Sequence, residues 1–328
     1  MRVFVAGATG AIGAALIPEL LRRGHEVFGS TRNLSKAAVI TSMGAQPVGM
    51  NGLDQAEVLS AVRKVKPDAI VHQMTALAGA QNLKHFDTEF EQTNELRTRG
   101  TDYLIAAARH SGTRHLVVQS FTGWPNARDG DPIKTETDPL DATPPAAMSR
   151  TLAAIRKLEQ TVLAVTDMHA VVLRYGALYG PGTQMSSGGD IVEMVRRRRL
   201  PVVGDGGGVW SFIHVADVAT ATAQAVEERP SGLYNIVDDE PAAVRVWLPE
   251  LAVILGAKAP RRVPSWIARF LIGESGVSMM TSIRGSSNEK AKRLLGWAPL
   301  NRSWREGFRR ELGNLASSSR RTQECHAR

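Results

Sequence analysis

The feature that most limits what this chain can fold into stands at its start. An apolar run at 2–6 leads directly into Gly7-Ala8-Thr9-Gly10-Ala11-Ile12-Gly13, and a helical pattern follows at 11–23. A buried strand, a glycine turn and a helix in immediate succession form the opening of a βαβ unit with an anion cradle at the turn. Gly7 permits the tight turn, Gly10 lets the backbone approach a pyrophosphate without a Cβ in the way, and Gly13 allows the helix to lie close on the strand. Thr9, Ala11 and Ile12 complete the turn and the first helical residues, whose free N–H groups would face the negative charge.

The same alternation continues through the first half. Apolar runs at 26–30, 46–49, 69–72, 115–119 and 170–174 are separated by amphipathic stretches such as 93–110. That order predicts an α/β fold, a Rossmann doubly wound parallel sheet of six or seven strands. Beyond Tyr175 the regularity gives way to Gly/Pro-rich turns, among them Tyr179-Gly180-Pro181-Gly182 and the glycine cluster at 204–208. Residues 1–175 therefore read as mainly a dinucleotide-binding Rossmann domain. Residues 176–315 read as mainly a smaller, interwoven substrate-binding lobe, with returns to the sheet near 211–214 and 233–237. The Ser/Arg-rich segment 316–328 has no periodicity and reads as a disordered tail.

Composition removes several classes of protein. Of the 328 residues 43% are hydrophobic, enough for a real core. The one cysteine, Cys325, permits neither a disulfide framework nor a cysteine metal site within the chain, which points to a reducing, cytoplasmic setting. No apolar run approaches the roughly 18 to 20 residues that span a bilayer, so no membrane partner is expected. The net charge of +8 and the run Arg196-Arg197-Arg198-Arg199 come without aromatic interleaving or a nucleic-acid motif, and they read as a solvated helix end. A small-molecule substrate is the expected partner, no nucleic acid is expected, and no metal is implied.

The spacing GxxGxxG in its strand-to-helix setting resembles the fingerprint of the short-chain dehydrogenase/reductase family, and the length selects the extended, epimerase/dehydratase-like branch. Further fragments carry the resemblance in order: Asn94 with Gly100-Thr101, Ser120 after the fifth strand, the stretch from Arg174 through Gly182, Phe212-Ile213-His214-Val215-Ala216-Asp217, Tyr234-Asn235-Ile236 and Leu295-Gly296-Trp297-Ala298-Pro299. The resemblance implies a nicotinamide dinucleotide, with Met74, Thr75, Asn94 and Tyr175 close to it, and Asn51 where an aspartate usually stands beside the adenine. It is also compatible with a homodimer. NAD-binding Rossmann units end the second strand with a carboxylate for the ribose 2′-OH, whereas here Phe28-Gly29-Ser30-Thr31-Arg32-Asn33 has none. Arg32 suits a 2′-phosphate, helped by Thr31 and Ser30, so NADP(H) is favoured and NAD(H) remains open.

Most catalytic members carry a Tyr-x-x-x-Lys pair on the helix after the fifth strand. Here Glu159 registers with the family glutamate, which puts Thr151 at the tyrosine position and Ile155 at the lysine position, and no tyrosine lies between Tyr103 and Tyr175. The usual proton relay is absent whatever the alignment. Ser120 stands at the family's catalytic serine position, with Thr122 two residues on, and Ser120, Thr122 and Thr151 are the candidates to polarise a substrate oxygen. His72, His85 and His214 are the candidates for a replacement acid, with His214 the more structural of them. Trp210 occupies the place of an arginine that holds the diphosphate in nucleotide-sugar members, and with Trp124, Met148 and Met185 it would make an apolar pocket. The expected activity is NADPH-dependent reduction of a carbonyl, or of a conjugated alkene, in an apolar or aromatic metabolite. The alternatives are an epimerase or dehydratase and a non-catalytic dinucleotide-binding regulator.

Overall fold

Val3, Phe4, Val5 and Ala6 have no exposed surface, because strand β1 (Arg2–Ala6) lies in the middle of a parallel sheet covered on both faces. In the computed structural model, which describes residues 1–77 and 82–313, β1 pairs with β2 (Glu26–Thr31) and β4 (Ala69–His72). Strand β3 (Gln46–Gly49) closes the edge beside β2. On the other side follow β5 (His115–Phe121), β6 (His169–Tyr175) and β7 (Gly232–Ile236). The resulting seven-stranded order, β7-β6-β5-β4-β1-β2-β3, is parallel throughout. It reverses direction around β1 and β4, and the glycine turn opens at that switch point.

Helices cover both faces. On one, α1 (Ala11–Arg22) and α7 (Val215–Glu228) bury Leu16, Leu20, Val218 and Val226 against the sheet. On the other, α2 (Gln55–Val65), α5 (Thr101–Ser111) and α6 (Ser149–Leu163) bury Val62, Leu104, Leu158 and Val162. This is the doubly wound Rossmann fold expected from the alternation. Two short helices, α3 (Phe86–Glu89) and α4 (Glu91–Glu95), precede α5.

The single helix expected over 93–110 is interrupted. Between α4 and α5 the backbone widens into a π-helical turn at Leu96–Gly100. The Thr98 and Thr101 hydroxyls bond back to the carbonyls of Asn94 and Arg97, at 2.9 and 2.7 Å, competing with the regular backbone ladder there.

The segment at 211–214 does not rejoin the main sheet as expected. Phe212–His214 pairs instead with Ala177–Tyr179 in a separate two-stranded piece. The change of partner falls at Gly176: its N–H still donates to Ile236 O, whereas the next N–H, of Ala177, donates to Ser211 O. A Cβ at Gly176 would lie 2.6 Å from Ser211 O, so glycine is required where the two backbones cross. The chain does return at β7. A third apolar cluster, with Tyr179, Met185, Phe212, Trp247, Trp304 and Phe308, forms the core beyond the sheet. Arg196 and Arg197 at the end of Asp190–Arg196 lie 3.0 and 3.6 Å from Glu193. No helix among the described residues is long and apolar enough to cross a membrane. The expected tail and Cys325 lie outside the described residues.

Candidate active site

The glycine turn has the geometry a dinucleotide needs. Gly7 has φ +94°, and a Cβ there would meet Gln73 O at 2.7 Å, so only glycine passes under the end of β4. At Gly13 a Cβ would strike Ala8 O at 2.3 Å, which fixes α1 close against the turn. Gly10 is the opposite case: a Cβ there would meet nothing nearer than Gly7 O at 3.7 Å. Space therefore lies open in front of the α1 N-terminus, which has neither a side-chain cap nor an acidic residue in its first turn. Exposed N–H groups and the positive end of the helix dipole fit a pyrophosphate. Thr9 and Ala11 are partly exposed at the rim and Ile12 is buried behind it.

The remaining cofactor candidates divide. Arg32 is exposed at the end of β2, while the Thr31 hydroxyl bonds within its own turn to the Asn33 backbone, and Ser30 Oγ accepts the Gly7 N–H at 3.2 Å. Of the three groups expected to meet a 2′-phosphate, Arg32 is the one without a side-chain partner among the described residues. Asn51 closes its own turn by accepting the Leu53 N–H at 3.1 Å. Thr75 is exposed just past β4, whereas Met74 is buried over Gly52 and Leu96. Tyr175 is buried, and its hydroxyl is shared between Gln73 Nε2 and Thr222 Oγ1 at 2.9 and 2.8 Å. It belongs to the core under the turn, and burial pushes its pKa up to about 12. The Gln73 Oε1 is buried without a partner among the described residues, leaving an acceptor beside the cradle.

The three catalytic candidates are not pooled. Ser120 Oγ donates to Glu159 Oε1 at 2.7 Å, and Glu159 also takes a two-pronged contact from Arg174 at 2.7 and 2.6 Å, all buried. As placed, Ser120 spends its only proton on that carboxylate and not on a substrate oxygen. Thr122 turns toward the lobe, 2.5 Å from Ser286 Oγ and 3.3 Å from Asn126 Oδ1. Thr151, fully buried, donates to Asp87 Oδ1 at 2.6 Å and accepts from Asn94 Nδ2 at 3.0 Å. Asp87 also accepts the backbone N–H groups of Arg150 and Thr151, at 2.9 and 2.7 Å, and so caps α6. The Asn94 side chain expected at the cofactor is spent on Thr151 and Arg97. Ile155 is fully buried and apolar, as its position in the sequence required.

Among the described residues, the histidines and tyrosines weighed for the acid role are held in other contacts or lie on the surface. Burial drives the His72 pKa down to about 4, and its ring is held by Leu96 O and the Met74 N–H. His214 caps α7 through the Ala216 N–H, with its pKa lowered by burial, which is the structural role anticipated for it. His85 is exposed at the start of α3. Tyr179 is fully buried beside His214 and Phe308, and burial raises its pKa far above the ordinary tyrosine value.

Of the four residues expected to line an apolar pocket, three come together. Trp124 and Met148 share a cluster with Phe86, Phe90, Leu152 and Ile155, and Trp210 packs on its edge. The rings of Phe86 and Phe90 stack at 4.3 Å, and Phe86 meets Trp124 edge-on at 5.2 Å. Trp210 Nε1 donates to Met279 O at 2.9 Å. Met185 is the exception: it is buried in the separate lobe core with Tyr179 and Trp247. Sequence reasoning missed Phe86 and Phe90, although the i,i+4 spacing of the two was visible.

A glycine cradle at the switch point of a doubly wound parallel sheet defines a protein of the dinucleotide-binding Rossmann class. The chain belongs to the NAD dependent epimerase/dehydratase family, whose model matches residues 3–237. It is 42% identical to a 3-diazoavenalumate denitrifying reductase of Streptomyces sp, over 95% of this chain and all of that one. It is 29% identical to a 2-alkyl-3-oxoalkanoate reductase of Stenotrophomonas maltophilia (strain K279a), covering 83% of this chain and 81% of the relative. Among solved structures it resembles the UDP-glucose 4-epimerase of Thermus thermophilus in complex with NAD. That match has a TM-score of 0.73 at 26% identity and covers 97% of this chain and 99% of the other. The chain is an NAD(P)-dependent reductase of this family, which removes the non-catalytic alternative.

Proposed function

We propose that this reductase passes hydride to an aromatic electrophile that takes up no proton in the step, a diazonium carboxylate, with NADP(H) as the preferred dinucleotide. One observation carries the reading: no proton donor stands where the family keeps its tyrosine and lysine. Thr151 has its hydroxyl committed to Asp87, Ile155 is apolar, His72 is held neutral, and Tyr175 and Tyr179 are buried with raised pKa values. Reducing a carbonyl requires a proton on oxygen. Replacing a diazonium group by hydrogen does not, because hydride enters, dinitrogen leaves and the charge balances. The relative at 42% identity is named for the denitrifying reduction of a diazo acid, which supports the same chemistry here.

A nicotinamide dinucleotide in the cradle supplies the hydride. The chain's own part is to hold and to exclude. Gly7, Gly10, Gly13 and the α1 N-terminus hold the pyrophosphate, and Arg32 takes the 2′-phosphate. The partly exposed rings of Phe121 and Trp210, backed by the buried Phe86, Trp124 and Met148, would give an aromatic acceptor an apolar wall that orients it and keeps water from a reactive group. Trp210 in place of a cation disfavours a nucleotide diphosphate and hence the epimerase alternative.

The test is NADPH oxidation with para-carboxybenzenediazonium, using cofactor deuterated at the transferable position and a protein-free control. Benzoate carrying ring deuterium, formed above the control rate, is the expected product. An untouched diazonium alongside reduction of para-acetylbenzoate would replace the reading by carbonyl reduction. Calorimetry should find NADP⁺ bound more tightly than NAD⁺, with Arg32→Ala narrowing the gap roughly ten- to hundredfold, the value of a charge-assisted phosphate contact. A native preference for NAD⁺ would remove the cofactor assignment.

A further inference from the structure

Arg97 lies in the π-helical turn between α4 and α5 and plays no part in the site so far described. Its Nη1 donates to Asn94 Oδ1 at 3.2 Å, and its guanidinium sits 5.7 Å from the centre of the Phe90 ring. A guanidinium has five N–H donors, and this is the one side-chain hydrogen bond Arg97 makes among the described residues. The acid that acts on its charge, Glu159, is already occupied by Arg174 and Ser120. Removal from water lowers the pKa of the partly exposed Arg97 to about 10 against the pull of Glu159, so the side chain stays charged at neutral pH with no acid in direct contact among the described residues.

Its position is set from two sides. Asp87 fixes Thr151, Thr151 accepts from Asn94, and Asn94 orients the Arg97 fork, a relay running across α3, α6 and α4. Thr151, Ile155 and Glu159 are spaced i, i+4, i+8 on one face of α6. Arg97 is tied to the first through Asn94 and feels the charge of the last. On its other side lies the cluster of Phe86, Phe90, Trp124 and Met148. A charged fork with no acid in direct contact among the described residues, over the Phe90 ring at the edge of an aromatic cluster, matches a planar anion attached to an apolar body.

We propose that Arg97 binds the carboxylate of an aromatic acid substrate, setting the ring against the edge of the aromatic cluster that Phe86 and Trp124 back; this rests on the reading of the substrate as an aromatic carboxylate. The arrangement puts the cation on a different helix from the one where the family keeps its lysine. It assigns that cation to holding the substrate.

Calorimetry on the NADP⁺-saturated protein with cinnamate and with its methyl ester reads the proposal directly. The native protein is expected to hold the acid roughly ten- to hundredfold more tightly than the ester, and Arg97→Gln to abolish that difference with NADP⁺ affinity unchanged. Arg97→Lys, a point charge without the fork, should keep only part of it. Two results overturn the assignment: ester held as tightly as acid by the native protein, or an Arg97→Gln variant with a native-like thermal melt that keeps the acid preference. Should Arg97→Gln fail to fold, the native acid-to-ester ratio and the lysine variant still decide. Because the readout is binding, a failed diazonium turnover leaves it standing, and its own failure leaves hydride transfer to diazonium standing.

Discussion

Replacing Ser120 by alanine distinguishes a serine that serves the substrate from one that serves the fold. Its hydroxyl lies 2.7 Å from Glu159 Oε1, and the same carboxylate takes Arg174 Nε and Nη2 at 2.7 and 2.6 Å, with both charged side chains 6% exposed. Loss of one hydrogen bond to a charged acceptor costs about 1.5–3 kcal/mol, and here the two Arg174 contacts survive it. Glu159→Gln is more severe: it leaves the Arg174 guanidinium buried without its counter-charge, which costs about 3–5 kcal/mol. If Ser120 works through Glu159, the two effects are not additive, and Ser120→Ala costs less in the Glu159→Gln background than alone. Urea unfolding of the native protein, both single variants and the double variant gives these energies. Single-turnover oxidation of NADPH gives the rate of the chemical step. Ser120→Ala is expected to lose stability while keeping hydride transfer within about tenfold of native, against the roughly 10² to 10³ that a lost oxyanion donor costs. A variant with unchanged stability and a hundredfold slower step would refute the reasoning and return Ser120 to the substrate.

Two further outcomes follow from the geometry. Gly10→Ala should melt like the native protein yet bind NADP⁺ at least about tenfold more weakly, since its Cβ enters only the open space before α1; Gly13→Ala, whose Cβ would strike Ala8 O, should lose about 1–3 kcal/mol of stability, and equal melting of the two variants would contradict this. Asp238 is buried, which raises its pKa from 3.8 to about 8 against the pull of the Glu240 and Trp304 backbone N–H groups. The folded state thus holds a proton that the unfolded chain releases. The associated stability is full below the unfolded value and is lost as pH rises through about 8. Melting temperature should therefore fall more steeply across that range for the native protein than for Asp238→Asn, and parallel curves would rule out Asp238 as the cause.

The sequence by itself determined the β1–glycine turn–α1 unit, because each requirement there is local: a buried apolar run, glycine where φ is positive, and a helical period immediately after. It also determined that the Tyr/Lys relay is missing, since no fold can supply a tyrosine to α6 that the stretch between Tyr103 and Tyr175 lacks. Strand positions were legible for the same reason, and the errors fell where the chain changes partner. Residues 211–214 have the pattern of a strand, but which strand they join is decided by the crossing at Gly176. Only the tertiary structure could decide what the polar side chains do. Ser120 and Glu159 are 39 positions apart and nothing in their local sequence suggests a bond; their contact exists because β5, β6 and α6 pack together. Likewise, Met185 and Trp124 are both apolar in sequence, yet they are buried in separate clusters. Arg97 looks like any surface arginine on an amphipathic helix. Its significance comes from a widened turn and from a carboxylate already taken by another arginine, and the energy of a sheltered charge depends on which neighbours the fold brings within a few ångströms.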